Sequence, residues 1–284
     1  MPSAVRSALS LAQKRIKQLG KEEFVEDELY SASTHLLKSQ GKMVRPGLVF
    51  TSAMVLERDP KDYVDLAVAI ELLHTASLVH DDILDKDSLR RGREAVHVKF
   101  GVEKAVLAGD ALISKAIQLA SAYGPIAVRR ASEASMDMCA GETIDITVQS
   151  KHGLPDLNTY LRIAQLKTAS LMGVSASVVA DCVSSEDRQA LYEIGINMGY
   201  SFQLRDDIMN HLGVNEKARK STVPDSSRSR PNIVSVFKMH GREDPLRAAI
   251  KLNNFYIENA IGLLEKVKNG AMFRSYLDFL KIEE

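Results

Sequence analysis

The sequence predicts an all-α fold, and three observations carry that prediction. Apolar residues recur three and four positions apart along the chain, strict apolar–polar alternation is absent, and glycine and proline fall mostly between the periodic stretches. Helices are expected over 4–19, where Arg6, Lys14, Arg15 and Lys17 mix with isolated apolar residues, and then over 27–39 and 44–57. The next helix, 62–85, differs in kind: its stretch 64–73 is apolar nearly all round, as in a central helix surrounded by others. Helices over 102–123 and 125–150 follow, then 157–182, which holds the longest uncharged apolar run, 168–180. That run is too short to cross a bilayer. A helix over 185–212 precedes an irregular stretch, 213–231, rich in Lys, Arg, Ser and Asp. A loop of that length in a compact domain is functional or disordered, and its place directly after an acidic helix end points to a lid. Helices over 233–240, 244–268 and 272–281 complete the pattern. No internal repeat divides the chain, so residues 1–284 read as a single-domain helical bundle.

Composition narrows the class. Lys plus Arg and Asp plus Glu number 37 each, which gives no reason to expect a nucleic-acid partner. With 45% hydrophobic and 26% charged residues the chain has ample material for a core and is not of disordered type. Cys139 and Cys182 lack metal-type spacing and read as buried thiols of a reducing compartment, so the cytoplasm is the expected location. The first 19 residues contain no continuous apolar core of a signal peptide, and stable membrane insertion is not expected.

Two acidic stations stand about 125 residues apart: Asp81-Asp82-Ile83-Leu84-Asp85 and Asp206-Asp207-Ile208-Met209-Asn210. Residues four apart share a helix face, so Asp81 aligns with Asp85 and Asp206 with Asn210. Like charges stacked in this way repel. A cation between the stations relieves the repulsion, and oxygen-only ligands suit magnesium, which keeps its waters and is shared with substrate phosphates. Asp81, Asp85 and Asp206 are the best ligands. Asp82, Asp207 and Asn210 complete the candidate metal set, with Asp82 and Asp207 placed to accept hydrogen bonds from metal-bound water or nearby cationic side chains. Phosphate chemistry is the first hypothesis.

The flanks sharpen it. The stretch 71–92, ELLHTASLVHDDILDKDSLRRG, together with Gly41-Lys42-Met43-Val44-Arg45-Pro46, Lys167-Thr168 and Phe202-Gln203-Leu204-Arg205-Asp206-Asp207, resembles the trans-isoprenyl diphosphate synthase family, with its motifs in that family's order from about residue 42 to 230. The resemblance implies a helical bundle around a central elongation cavity, magnesium as cofactor, isopentenyl diphosphate and an allylic prenyl diphosphate as substrates, and a homodimer. By the same resemblance Lys42, Arg45, His74 and Arg91 hold the diphosphate of isopentenyl diphosphate without metal. Arg90, Lys167, Lys220 and Arg230 hold the allylic diphosphate with three magnesium ions. Thr168 and Gln203 lie beside the reacting carbon, where a hydroxyl or carbonyl dipole stabilises developing positive charge. The implied chemistry is head-to-tail chain elongation, in which the protein positions the substrates, stabilises the leaving group and excludes water.

Departures from the family's pattern set the alternatives. Asn210 stands where aspartate is usual, and an amide keeps one oxygen acceptor but loses a charge. Ser229-Arg230-Pro231-Asn232 and Val223-Pro224-Asp225 replace the usual lid sequences. They motivate a second reading, a weakly active or regulatory subunit of a heteromeric synthase. A cyclising or head-to-head terpene enzyme is a third, but it does not need Lys42, Arg45 and the Arg90-Arg91 pair together. Product length is addressed by Ser77 and Ala76, four and five positions before Asp81, where the family's short-product members carry a bulky aromatic. Both residues are small here. Growth is therefore expected to pass this level to geranylgeranyl length or beyond, with Met136 and Met138 of the facing helix as the bulkier candidates for a deeper floor and Ser132 and Ser135 small.

Overall fold

The computed structural model describes residues 3–20, 23–39, 41–150, 153–213 and 232–283. Helices follow the predicted order: α1 (Ser3–Lys17), α2 (Asp27–Thr34), α3 (Val44–Val55), α4 (Val64–Leu84), α5 (Val96–Phe100), α6 (Val102–Ser121), α7 (Pro125–Ser150), α8 (Leu157–Ala164), α9 (Ser170–Cys182), α10 (Arg188–His211), α11 (Ile233–Met239), α12 (Pro245–Leu264) and α13 (Arg274–Leu280). Local chemistry marks several of their starts. Side-chain oxygens of Asp156, Asn232 and Asp244 accept from the backbone N–H groups of Thr159, Ser235 and Arg247, and α12 adds a proline in its first turn.

Helix α4 is the axis, as its all-round apolar surface predicts. Residues Leu66 to Leu73 are all buried, and α4 packs on α6, α3, α1, α7 and α9. The principal core joins α1–α4, α6, α7 and α9; a second cluster seats α13 and α12 on α3, α9 and α10, and a third joins α8, α10, α11 and α12. The stretch Leu157–Cys182 is long and apolar enough to cross a membrane, but 78% of its most apolar window is buried inside the bundle, where α9 has every residue from Ser170 to Asp181 covered. It is a core helix.

Two features depart from the expectation. A five-residue π-helical turn, Gln165–Ala169, interrupts the helix expected over 157–182. Between α4 and α6, a hairpin of β1 (Leu89–Arg90) and β2 (Arg93–Glu94) and the short α5 replace an unassigned connection. Strands of two residues carry no readable period. The hairpin's turn residues, Arg91 and Gly92, both have positive φ, 52° and 73°, the conformation that a tight two-residue hairpin requires and that glycine adopts without strain.

Candidate active site

The site is built where the C-terminal ends of α4 and α10 meet the π-helical turn. Asp81 lies on the last turn of α4 and Asp85 caps it. Burial pushes the Asp81 carboxyl up to about 7, and the Glu142 carboxylate beside it adds to the rise, with Lys167 pulling the other way. Glu142 and Asp145, one turn apart on α7, are site residues that the sequence reading missed. Lys167 Nζ lies 2.5 Å from Glu142 Oε2 and 2.6 Å from Asp145 Oδ2. Burial opposes the Lys167 charge, but Asp145, Asp81 and Glu142 outweigh it and hold the ammonium above its usual pKa. A close approach makes this contact possible: a Cβ on Gly141 of α7 would stand 2.8 Å from the Lys167 backbone nitrogen and from Leu166 Cβ. The acidic pair at positions 142 and 145 was visible in the sequence, but only next to this glycine contact does it become a site.

Thr168, the next residue on the turn, reaches the other station. Its hydroxyl donates to Gln203 Oε1 at 3.0 Å, and Gln203 Nε2 donates to Asp207 Oδ1 at 3.0 Å. The other Asp207 oxygen accepts from Tyr160 Oη at 2.7 Å and from the Ile233 backbone N–H at 2.9 Å. Burial lifts the Asp207 carboxyl to about 6, and these donors hold it back from rising further. Asp207 therefore ties α10 to α8 and to the start of α11, and both its oxygens are engaged.

Asp82 is likewise turned inward. It is fully buried, with Oδ1 2.6 Å from Arg90 Nε and 2.5 Å from Arg90 Nη2, while Arg90 Nη2 also reaches Asp87 at 3.1 Å. Asp82 and Asp207 thus face protein donors, in keeping with the acceptor role expected of them, because adjacent residues on a helix point about 100° apart. Asp81 and Asp85 remain on one side. On the other, Asn210 Nδ2 donates to Asp206 Oδ2 at 3.1 Å, so the amide steadies the carboxylate one turn before it. Arg90, expected on a diphosphate, braces the end of α4 through these contacts.

The hairpin turn sends the two adjacent arginines apart. Arg91 reaches back to Glu71, 3.4 Å away and buried on α4, and Arg45 of α3 is buried beside the same pair. Burial lowers the Arg45 guanidinium to about 10, and its Nε has no hydrogen-bond partner among the described residues. His74, one turn along α4 from Glu71, is held well below its usual pKa, first by burial and then by Arg45, Arg91 and Arg90; its imidazole is neutral. Lys42 is exposed just before α3. These four residues were expected together, and the structure brings Arg45, His74 and Arg91 into one electrostatic neighbourhood. Lys220 and Arg230, with the rest of the expected lid, lie outside the described residues.

Below Asp81, Glu142 and Lys167 opens a cavity of about 270 Å³, walled by Leu73, Ser77, Ile113, Met138 and Cys139. Ser77 faces it; Ala76, 1% exposed, is buried in the core and does not line it. On the facing helix Ser135 and Met138 point inward, whereas Met136 is 70% exposed and Ser132 is exposed. Cys139 is exposed along this wall, not the buried thiol that was expected; Cys182 is half-buried, its thiol pushed up to about 11 by burial.

Comparison with known proteins fixes the family. A model of the family described as polyprenyl synthetase matches residues 26–264. The chain belongs to the polyprenyl synthetase family. Within it, a short chain isoprenyl diphosphate synthase of Methanocaldococcus jannaschii is 33% identical over 244 residues, 81% of this chain and 74% of that protein. A geranylgeranyl pyrophosphate synthetase from Geoglobus acetivorans superposes with a TM-score of 0.82 at 27% identity, covering 97% of each chain. A polyprenyl synthase from Caulobacter crescentus, solved with calcium and isoprenyl diphosphate, matches with a TM-score of 0.76 at 26% identity over 98% of this chain and 94% of that one. As in these polyprenyl synthetases, the fold is all-α, and a divalent cation suits its acidic stations, where Asp81, Asp85 and Asp206 offer the carboxylate oxygens that such cations take.

Proposed function

We propose that this chain is a trans-prenyltransferase that condenses isopentenyl diphosphate head to tail with an allylic diphosphate, giving a trans-prenyl diphosphate of geranylgeranyl length or longer. The observation that carries the reading is the stacking of an acidic, cation-seeking mouth directly over an apolar cavity, with a separate cluster of basic residues beside it. Asp81, Asp85, Asp206 and Asn210 would hold magnesium, which when bound neutralises the allylic diphosphate and so favours loss of the leaving group. Lys167, kept protonated by Asp145, Asp81 and Glu142, adds a fixed positive charge at the same mouth.

Breaking the allylic carbon–oxygen bond sends its electron pair out with the diphosphate. The double bond of isopentenyl diphosphate supplies the electrons of the new carbon–carbon bond, and a proton then leaves to the departing diphosphate. Thr168 Oγ1 and Gln203 Oε1, held 3.0 Å apart, present oxygen dipoles to the positive charge that develops between these steps. Arg45, Arg91, Lys42 and neutral His74 position the second diphosphate without metal. Leu73, Ile113 and Met138 keep water from the growing tail.

The same reading takes residues 1–284 as one isoprenyl diphosphate synthase domain in the cytoplasm. It also assigns a homodimer, supported by Val98, Val102, Val106 and Leu107, exposed large apolar residues clustered on α5 and the start of α6. The purified chain alone, given labelled isopentenyl diphosphate, an allylic starter and magnesium, is expected to form labelled prenyl diphosphate. A correctly folded preparation that repeatedly fails to do so would overturn the proposal.

A further inference from the structure

Phe279 of α13 is 48% exposed, on the face of the helix away from its buried residues Tyr276, Leu277 and Leu280. Two cations from distant parts of the chain converge on its ring: Arg205 Cζ lies 4.6 Å and Lys42 Nζ 5.6 Å from the centroid. Among the described residues neither side chain makes an ion pair, although Lys167, Arg90 and Arg91 nearby all do. Arg205 Nε is buried and has no hydrogen-bond partner among the described residues. An aromatic face orders a cation but leaves its charge uncancelled. Two like charges gathered on one ring are therefore a seat for an anion.

The position of Arg205 says which anion. It precedes Asp206 by one residue, so its side chain leaves α10 about 100° away from the metal-facing carboxylate and toward the start of α3, where Lys42 stands. Resting on the function proposed above, we infer that Arg205 is a further ligand of the metal-free diphosphate, that of isopentenyl diphosphate, and that Phe279 is the residue that positions both Arg205 and Lys42 for it. A planar guanidinium and a mobile ammonium on one side of a diphosphate supply a forked donor and a point charge. The C-terminal helix thereby becomes part of substrate selection without touching the reacting carbons.

The test uses the full chain and measures isopentenyl diphosphate binding by calorimetry in excess chelator, beside KM for each substrate and kcat with magnesium. Arg205→Ala is expected to weaken metal-free binding about tenfold or more, the usual consequence of losing a charge-assisted contact. Arg205→Lys should recover part of that loss. Phe279→Ala should raise KM for isopentenyl diphosphate severalfold with kcat and the allylic KM unchanged, and Phe279→Tyr should restore it. Arg205→Gln, which keeps a stem over the ring, and melting curves of every variant separate lost charge from lost folding. Folded Arg205→Ala or Arg205→Gln with wild-type affinity in chelator, or an effect confined to the allylic KM, overturns the inference while leaving the synthase reading intact. Wild-type chain that neither binds isopentenyl diphosphate nor turns over fails both.

Discussion

Replacing Ser77 by phenylalanine should shorten the product. Ser77 is four residues before Asp81 and Leu73 eight, which at 1.5 Å per residue puts them about 6 Å and 12 Å down the cavity wall. An extended chain advances roughly 1.2 Å per bond, so each added five-carbon unit, four bonds long, descends about 5 Å. The tail therefore meets the level of Ser77 after about one unit and that of Leu73 after two or more. A benzyl group at position 77 would cross the cavity toward Met138 and Ile113 and end growth at least one unit earlier, leaving Asp81, Glu142 and Lys167 in place to catalyse the steps that remain. Products labelled from isopentenyl diphosphate, dephosphorylated and separated by reversed-phase chromatography, give the distribution directly; for Ser77→Phe it should shift to products at least one unit shorter than those of the wild type. Ala76→Phe makes the contrast. Ala76 is in the core, so the larger side chain should cost about 1–3 kcal/mol in stability through overpacking, without shortening the product. An unchanged product distribution for folded Ser77→Phe, or a wild-type product no longer than farnesyl, refutes this account of the cavity.

Asp81→Ala should lower turnover by several orders of magnitude while removing a buried like-charge contact with Glu142, so its melting temperature should hold or rise; near-normal activity, or full activity in excess chelator, would contradict the role given to it. Asn210→Asp should keep or raise activity and lower the magnesium concentration needed for half-maximal rate, measured by titration of the metal. Tyr160→Phe should destabilise the fold by about 1–3 kcal/mol, because a buried acceptor on Asp207 loses a donor. The folded-state pKa of Asp207, about 6, lies above its usual value, so its ionisation lowers stability as pH rises through that value; losing Tyr160 raises the pKa further. Denaturant melts should accordingly show a larger loss at pH 8 than at pH 5, and an equal loss at both would argue against an ionised Asp207.

What could be read from the sequence was what repeats or what carries charge in a fixed helical register. The all-round apolar stretch of α4 announced a central helix because every face must be covered, and the spacing of Asp81 with Asp85 and of Asp206 with Asn210 survives intact. Facing was harder. Asp82 and Asp207 share their neighbours' composition, and only the partners Arg90 and Tyr160, 8 and 47 residues away, show that they turn inward. Ala76 and Ser77 were equally small in sequence, and one helical step decides between core and cavity. Glu142 and Asp145 escaped notice because α7 has no strong apolar stripe to define an inner face, and the β1–β2 hairpin because its strands are too short to alternate.

The π-helical turn makes the site sensitive to chain phase. Such a turn holds one more residue than the α-helical path it replaces, and here that residue lets Lys167 lean toward Asp145 while its neighbour Thr168 reaches Gln203. Deleting a single residue within Gln165–Ala169 would let Leu157–Cys182 run as one regular helix. It would also rotate everything before the deletion by about 100° relative to everything after it, uncoupling Tyr160 from Asp207 even though no named side chain had been removed. A homologue or designed variant lacking this extra residue can therefore retain every charged group of the mouth and still be unable to assemble it.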